Sequence, residues 1–127
     1  MKTVFRICVG LFLTATASVG RGTPVWSSAE SPDATTITVT TLADELNNDG
    51  DCSLREAVEA SNENKPVDDC PAGSGVNDVI QLGAGTYTLN HSNNAGLRIT
   101  QSMFLRGAGK AQTVIDGNGD RTPFQIT

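Results

Sequence analysis

Leu82-Gly83-Ala84-Gly85 returns as Arg106-Gly107-Ala108-Gly109, and Leu97-Arg98-Ile99 is echoed by Phe124-Gln125-Ile126. The glycines repeat at an offset of 24 residues (Gly83 to Gly107) and the second pair at 27 (Leu97 to Phe124). Around these echoes lie short β-rich runs: Val79 to Leu82, Thr86 to Leu89, Leu97 to Thr100, Met103 to Leu105, Thr113 to Ile115 and Phe124 to Ile126. Each is bounded by Gly, Asn, Asp or other turn formers, the pattern of strands rather than helices. Helical period is absent from residue 77 onward, so nothing there can make a βαβ crossover. Strands that recur every two dozen or so residues without crossover helices imply a solenoid, each coil stacked on the last. A β-sandwich would want hairpin turns and clean alternation along longer strands. The internal echo favours the solenoid.

Upstream the texture differs. Ile37-Thr38-Val39-Thr40 alternates apolar and β-branched residues and reads as a strand. After an acidic loop from Asp44 to Asp51, Ser53 and Glu56 form a capping box, which predicts a helix over residues 53–63 that ends before Pro66. Leu54, Ala57, Val58 and Ser61 share one narrow apolar face, and Arg55, Glu56, Glu59 and Glu63 point elsewhere. Thr23 to Thr36, with the lone Trp26, is rich in Ser, Thr, Pro and Ala and reads as a flexible lead-in.

The chain opens as an export leader. Lys2 and Arg6 precede the apolar run Ile7 to Val19, and Ala15-Thr16-Ala17 supplies the small residues of a cleavage site, with cleavage expected after Ala17. A spanning helix needs about 20 apolar residues. This run is shorter and is diluted by Gly10, Thr14, Thr16 and Ser18, so no transmembrane segment is expected once the leader is removed. Cys8 leaves with it, and the remainder is expected to be secreted or at the cell surface.

The sequence has 127 residues, nine basic and fourteen acidic, a net charge of -5. Loss of Lys2 and Arg6 takes the mature charge to about -7. Nine of the carboxylates fall within residues 44–69 against Arg55 and Lys65, and so acidic a chain is no ligand for nucleic acid. Cys52 and Cys70 are the cysteines that remain, and in an oxidising compartment an even pair is most simply a disulfide, here tying the helix entrance to its exit.

Ile37-Thr38-Val39-Thr40-Thr41 followed by Asp51-Cys52-Ser53-Leu54-Arg55-Glu56-Ala57 resembles the CSLREA motif, whose six residues stand here as Cys52, Ser53, Leu54, Arg55, Glu56 and Ala57. Asp78 to Tyr87, Leu105 to Gly109 and Val114 to Gly117 resemble the coils that usually follow it. The resemblance implies an exported bacterial protein with a right-handed parallel β-helix of the pectin-lyase-like class. It divides the chain into a leader (1–17), lead-in (18–36), CSLREA-type cap (37–76) and first coils (77–127). The fold class expected is therefore all-β, the start of a right-handed parallel β-helix capped by a short amphipathic helix. A parallel solenoid exposes backbone groups and core side chains at its first coil, and a disulfide-tied helix is a fitting lid.

The expected role is structural or adhesive, with no catalysis in this chain, and extracellular polysaccharide or cell-surface material as the class of partner. Stacked repeats need about three units for stability, so the chain reads as a truncated piece onto which further coils or another chain would stack. The alternative is the N-terminal part of a secreted carbohydrate-active enzyme, a polysaccharide lyase or glycosidase, with its active site beyond residue 127.

Glu45, Asn47, Asp49, Asp51 and Glu56 set oxygen side chains at intervals resembling a calcium loop, with Gly50 at the sharp turn and a helix following. Against it, the first ligand is normally Asp, no helix enters the loop, and the capping box claims Glu56. No metal or cofactor is otherwise expected. Asp116-Gly117-Asn118-Gly119-Asp120-Arg121 groups two carboxylates with a guanidinium but has the chemistry of a turn, and Gly107-Ala108-Gly109-Lys110 lacks the ending of a phosphate loop. His91 is expected to be a solvated side chain, and Asn90-His91-Ser92 matches a glycosylation sequon by chance.

Overall fold

A computed structural model of the chain describes residues 34–91, 96–119 and 122–127. The leader, most of the lead-in with Trp26, and Asp120 and Arg121 lie outside the described residues. The order of elements is β1 (Thr36–Thr38), α1 (Leu54–Glu63), β2 (Asp78–Gln81), β3 (Gly85–Thr88), β4 (Leu97–Ile99), β5 (Met103–Arg106), β6 (Thr113–Asp116) and β7 (Phe124–Ile126).

All pairing between these strands is parallel, in three small sheets ordered β1-β2-β5, β3-β6 and β4-β7. β2, β3 and β4 thus meet β5, β6 and β7 in the same sequence, one set of three lying on the other. Asp78 pairs with Met103, Gly85 with Thr113 and Leu97 with Phe124. The echo of Leu97-Arg98-Ile99 in Phe124-Gln125-Ile126 coincides with this register residue for residue. The glycine echo does not. Gly85 faces Thr113, not Gly109, because the second corner holds an extra turn in which Gln112 and Thr113 donate to the Gly109 carbonyl. The two glycine pairs mark corners of unequal length, and a short string match cannot show the difference.

Inward positions stack in columns. Ile37, Ile80 and Leu105 are register partners, as are Tyr87 with Ile115 and Leu97 with Phe124. Ile37, Ile80, Leu82, Tyr87, Leu89 and Leu97 are buried, and Leu54, Ala57, Val58 and Ala60 of α1 close over them together with Cys52 and Cys70. Such a seal is worth roughly 1.5–3 kcal/mol for each large aliphatic side chain. The opposite end is different. Met103, Leu105, Ile115 and Phe124 are only partly buried, and Ile126 is 81% exposed. Among the described residues the core is therefore closed at one end by α1 and uncovered at the other along β5, β6 and β7.

α1 starts where its capping box does. Ser53 Oγ accepts from the Glu56 N–H at 3.2 Å while the Glu56 carboxylate accepts from the Ser53 N–H at 2.9 Å. Asn64, left-handed at φ 55°, ends the helix. Glu56 departs from the expectation that it points away from the buried face: it is fully buried. The helical wheel misses this because a capping carboxylate folds back over the helix start.

Candidate functional site

Each residue from Cys52 to Ala57 has a structural task at the closed end. Cys52 and Cys70 are disulfide-bonded with Cα atoms 5.0 Å apart, and each is 1% exposed. Ser53 caps α1 and donates its hydroxyl to the Glu45 carbonyl at 2.8 Å. Leu54 and Ala57 are core. Arg55 makes a two-pronged pair with Asp44, Nε to Oδ1 at 2.6 Å and the second nitrogen to Oδ2 at 3.0 Å. Glu56 uses both oxygens, one on the Ser53 N–H and the other on the Asn47 N–H at 2.9 Å. A constellation built for catalysis would leave a nucleophile, acid or base facing open space. Here the six side chains are spent on the fold.

Asp44 also accepts from the His91 N–H at 2.6 Å. Burial pushes its carboxyl up, but hydrogen bonds from Arg55 and the His91 and Asn90 backbone, with the guanidinium charge, outweigh it and hold the group below the usual carboxylate range. His91 is half-buried, and its backbone anchors this pair.

The acidic loop gathers more carboxylates than its sequence spacing names. Glu45, Asp49 and Asp51 bring ligand atoms within 4.8 Å of one another, and so do Asp51, Glu56 and Asp68. Asp68, distant in sequence, receives the N–H groups of Asp49 at 3.0 Å, Gly50 at 2.9 Å and Asp51 at 3.3 Å. The Asn47 amide donates to Glu45 and Asp49. Asp51 Oδ1 is shielded from solvent and has no hydrogen-bond partner among the described residues. Desolvation, then repulsion from Asp49, Asp51 and Glu56, raises the Glu45 carboxyl above its usual range. Asp51 is raised by desolvation, then by Asp49, Glu56 and Asp68. Of the expected calcium residues, Glu45, Asp49 and Asp51 form one group, while Asp51 and Glu56 join Asp68 in another, and Glu56 and Asp68 also accept backbone N–H groups of the loop.

Two further anchors carry no motif. Asp78 opens β2 with its carboxylate fully buried, although the strand was expected to begin at Val79. Oδ1 accepts from Thr35 N at 3.2 Å, Ser74 N at 2.9 Å and Ser74 Oγ at 2.6 Å, and Oδ2 accepts from Ser61 Oγ at 2.9 Å. Burial raises this carboxyl, and the bonds from Ser74, Ser61 and Thr35 outweigh burial and leave it lowered. Gly73 must be glycine to admit this hub, since a Cβ there would strike the Asp78 carboxylate and lie 2.8 Å from Ser61 Cα. The second anchor is Asn62, whose amide donates to the Arg98 carbonyl at 2.7 Å and accepts from the Thr100 N–H at 2.9 Å. Neither anchor carries a sequence signal: the donors to Asp78 stand 4, 17 and 43 positions away, and the partners of Asn62 36 and 38 positions away.

Of the remaining candidates, Asp116 accepts from the Asn118 N–H at 2.9 Å in a turn with Asn118 at φ 56°, and Asp120 and Arg121 lie outside the described residues. Thr113 Oγ1 accepts from Ala108 N and donates to the Gly83 carbonyl, tying the two glycine corners together. Among the described residues no helix is long and apolar enough to cross a membrane. Compared with models of protein families, with curated proteins and with solved structures, the chain matches none.

Proposed function

We propose that this chain is the N-terminal cap and the first coils of a right-handed parallel β-helix in a secreted or cell-surface protein, a structural or adhesive part without catalysis of its own. The observation that carries the reading is the asymmetry of the core, sealed by α1 over Ile37, Ile80 and Leu97 and left part-exposed at Met103, Leu105, Ile115, Phe124 and Ile126. A parallel ladder whose last strands show inward side chains and an unpaired edge is a surface for the next coil. The resemblance of residues 52–57 to the CSLREA motif supports the same reading, and the Cys52–Cys70 bridge suits an oxidising compartment. Extracellular polysaccharide or cell-surface material is the partner class proposed for the assembled coils.

The test is a chain extended after Thr127 by one designed coil, with aliphatic residues placed to pair with Leu105, Ile115 and Phe124. Extension is expected to raise the thermal midpoint by at least about 5 °C in one cooperative transition and to suppress binding of an apolar dye. An extension that stays unfolded while dye binding persists refutes the reading.

A further inference from the structure

We infer that Asn62 is an edge guard: its side-chain amide occupies the place of a neighbouring strand on β4 and so restricts stacking to one end of the chain. The inference rests on the stacking reading above and concerns the other end.

In a parallel ladder successive residues direct their backbone groups to opposite neighbours. On the β7 side, Leu97 N donates to the Pro123 carbonyl at 2.8 Å and Thr127 N donates to the Ile99 carbonyl at 3.1 Å. The groups in between, Arg98 O and Thr100 N, face the other way, where an additional strand would lie. Asn62 meets both, donating through Nδ2 to Arg98 O at 2.7 Å and accepting through Oδ1 from Thr100 N at 2.9 Å. A carboxamide carries the same donor and acceptor pair as a peptide unit, so one side chain reproduces the bonds of a strand without offering a further edge beyond itself.

Its position makes this specific to the closed end. Asn62 lies in the last turn of α1, the helix that packs on β4, β2 and β1, and its two bonds are solvent-exposed. An open β4 edge at that place would be a template for a passing strand. The complementary strand within reach is the free edge of β7 in a second copy of this chain, since β7 already pairs with β4 in parallel register through its other edge. With Asn62 in place, one molecule offers one stacking end. Without it, Arg98 O and Thr100 N are left unpaired beside α1, and a strand that takes them by displacing the last turn of α1 gives each molecule a second end and open-ended head-to-tail growth.

The experiment compares the mature oxidised chain with Asn62→Ala and Asn62→Asp. Asp keeps the acceptor for Thr100 and loses the donor to Arg98. Amide exchange at Thr100 is expected to run about tenfold faster in the Ala variant and to stay slow in the Asp variant. Sedimentation velocity over a concentration series is expected to show assemblies longer than wild type for Asn62→Ala, reverting to the wild-type distribution when Ile126→Lys charges the far edge. Unchanged Thr100 exchange in Asn62→Ala overturns the assignment of the plug. Faster exchange with a wild-type distribution overturns the guarding role. Neither result bears on the open end, which the extended chain tests separately.

Discussion

Replacing Asp78 tests how the cap is joined to the strands. Four donors converge on this one buried carboxylate, from the segment before β1, from α1 and from the loop that enters β2. Hydrogen bonds to a charged group contribute roughly 1.5–3 kcal/mol each and neutral ones about 1 kcal/mol. Asp78→Asn keeps an acceptor for Thr35 and Ser74, and the Ser61 hydroxyl can rotate to accept from the new amide, so the loss is the charge assistance, about 3 kcal/mol in all. Asp78→Ala strands every donor and should cost at least about 4 kcal/mol, a large share of the 5–15 kcal/mol that holds a typical domain. Folding holds the Asp78 carboxyl below its ordinary 3.8, so the stability it contributes is complete above that value and drains away as pH falls through the lowered native value. Urea denaturation of the oxidised protein at neutral pH and through the acid range reads both effects. Wild type should weaken below about pH 4 more steeply than Asp78→Asn, with the residual slope left to Asp44, lowered in the same sense. An Asn variant matching wild type in both midpoint and acid slope would refute the hub.

Joint replacement of Cys52 and Cys70 by Ala should cost about 3 kcal/mol, the chain-entropy value for a loop of this size, and calorimetry against the oxidised wild type measures it. Glu56→Ala leaves the Ser53 and Asn47 N–H groups without their acceptor in a buried place and should cost about 2 kcal/mol, with loss of helical circular dichroism before the rest unfolds. Asp51→Asn should act in the opposite sense. Its carboxyl is raised in the native state, so ionisation opposes folding as pH rises through that raised value. The variant is expected to melt above wild type at pH 7 and to lose the advantage on acidification. Gly73→Ala should cost about 2 kcal/mol by forcing Asp78 and Ser61 apart, read from the denaturation midpoint.

The local elements were legible in the sequence where local physics decides them. Ser53 and Glu56 announced the start of α1, and turn formers bracketed the strands from β2 onward to within one residue of their observed ends, while β1, expected over residues 37–40, ends two residues earlier at Thr38. The Leu97 and Phe124 echo carried the true register because side chains that stack inward must repeat in kind. The glycine echo misled by one residue before the corner and by four after it, since glycine reports a backbone bend and not a stacked column. The clusters at the closed end were hidden for another reason. Asp68 reaches the 49–51 loop across the disulfide, and Asp78 reaches Thr35 across 43 positions, so no window along the chain contains them.

The distribution of polarity follows from what a first layer lacks. Every later strand can satisfy its backbone on the strand before it, and its inward side chains on the column behind. Among the described residues β1, β3 and β4 each have a strand on one side alone, and side chains stand in for a second strand at β4 and beside β1. Asn62 supplies peptide-like bonds to β4, Thr40 exchanges two with Cys52, and Asp68, Glu56 and Asp78 collect N–H groups that would otherwise face water or apolar surface. Carboxylates suit this because each accepts several donors at once, as Asp44, Glu56, Asp68 and Asp78 do here. The cost is desolvation and then mutual repulsion at Glu45 and Asp51, beside the Cys52–Cys70 bridge that ties this loop covalently. It follows that reduction should destabilise this end more at neutral pH than at the acidic pH where Glu45 and Asp51 are protonated. Equal destabilisation of the reduced protein at both pH values would break that link between bridge and charge.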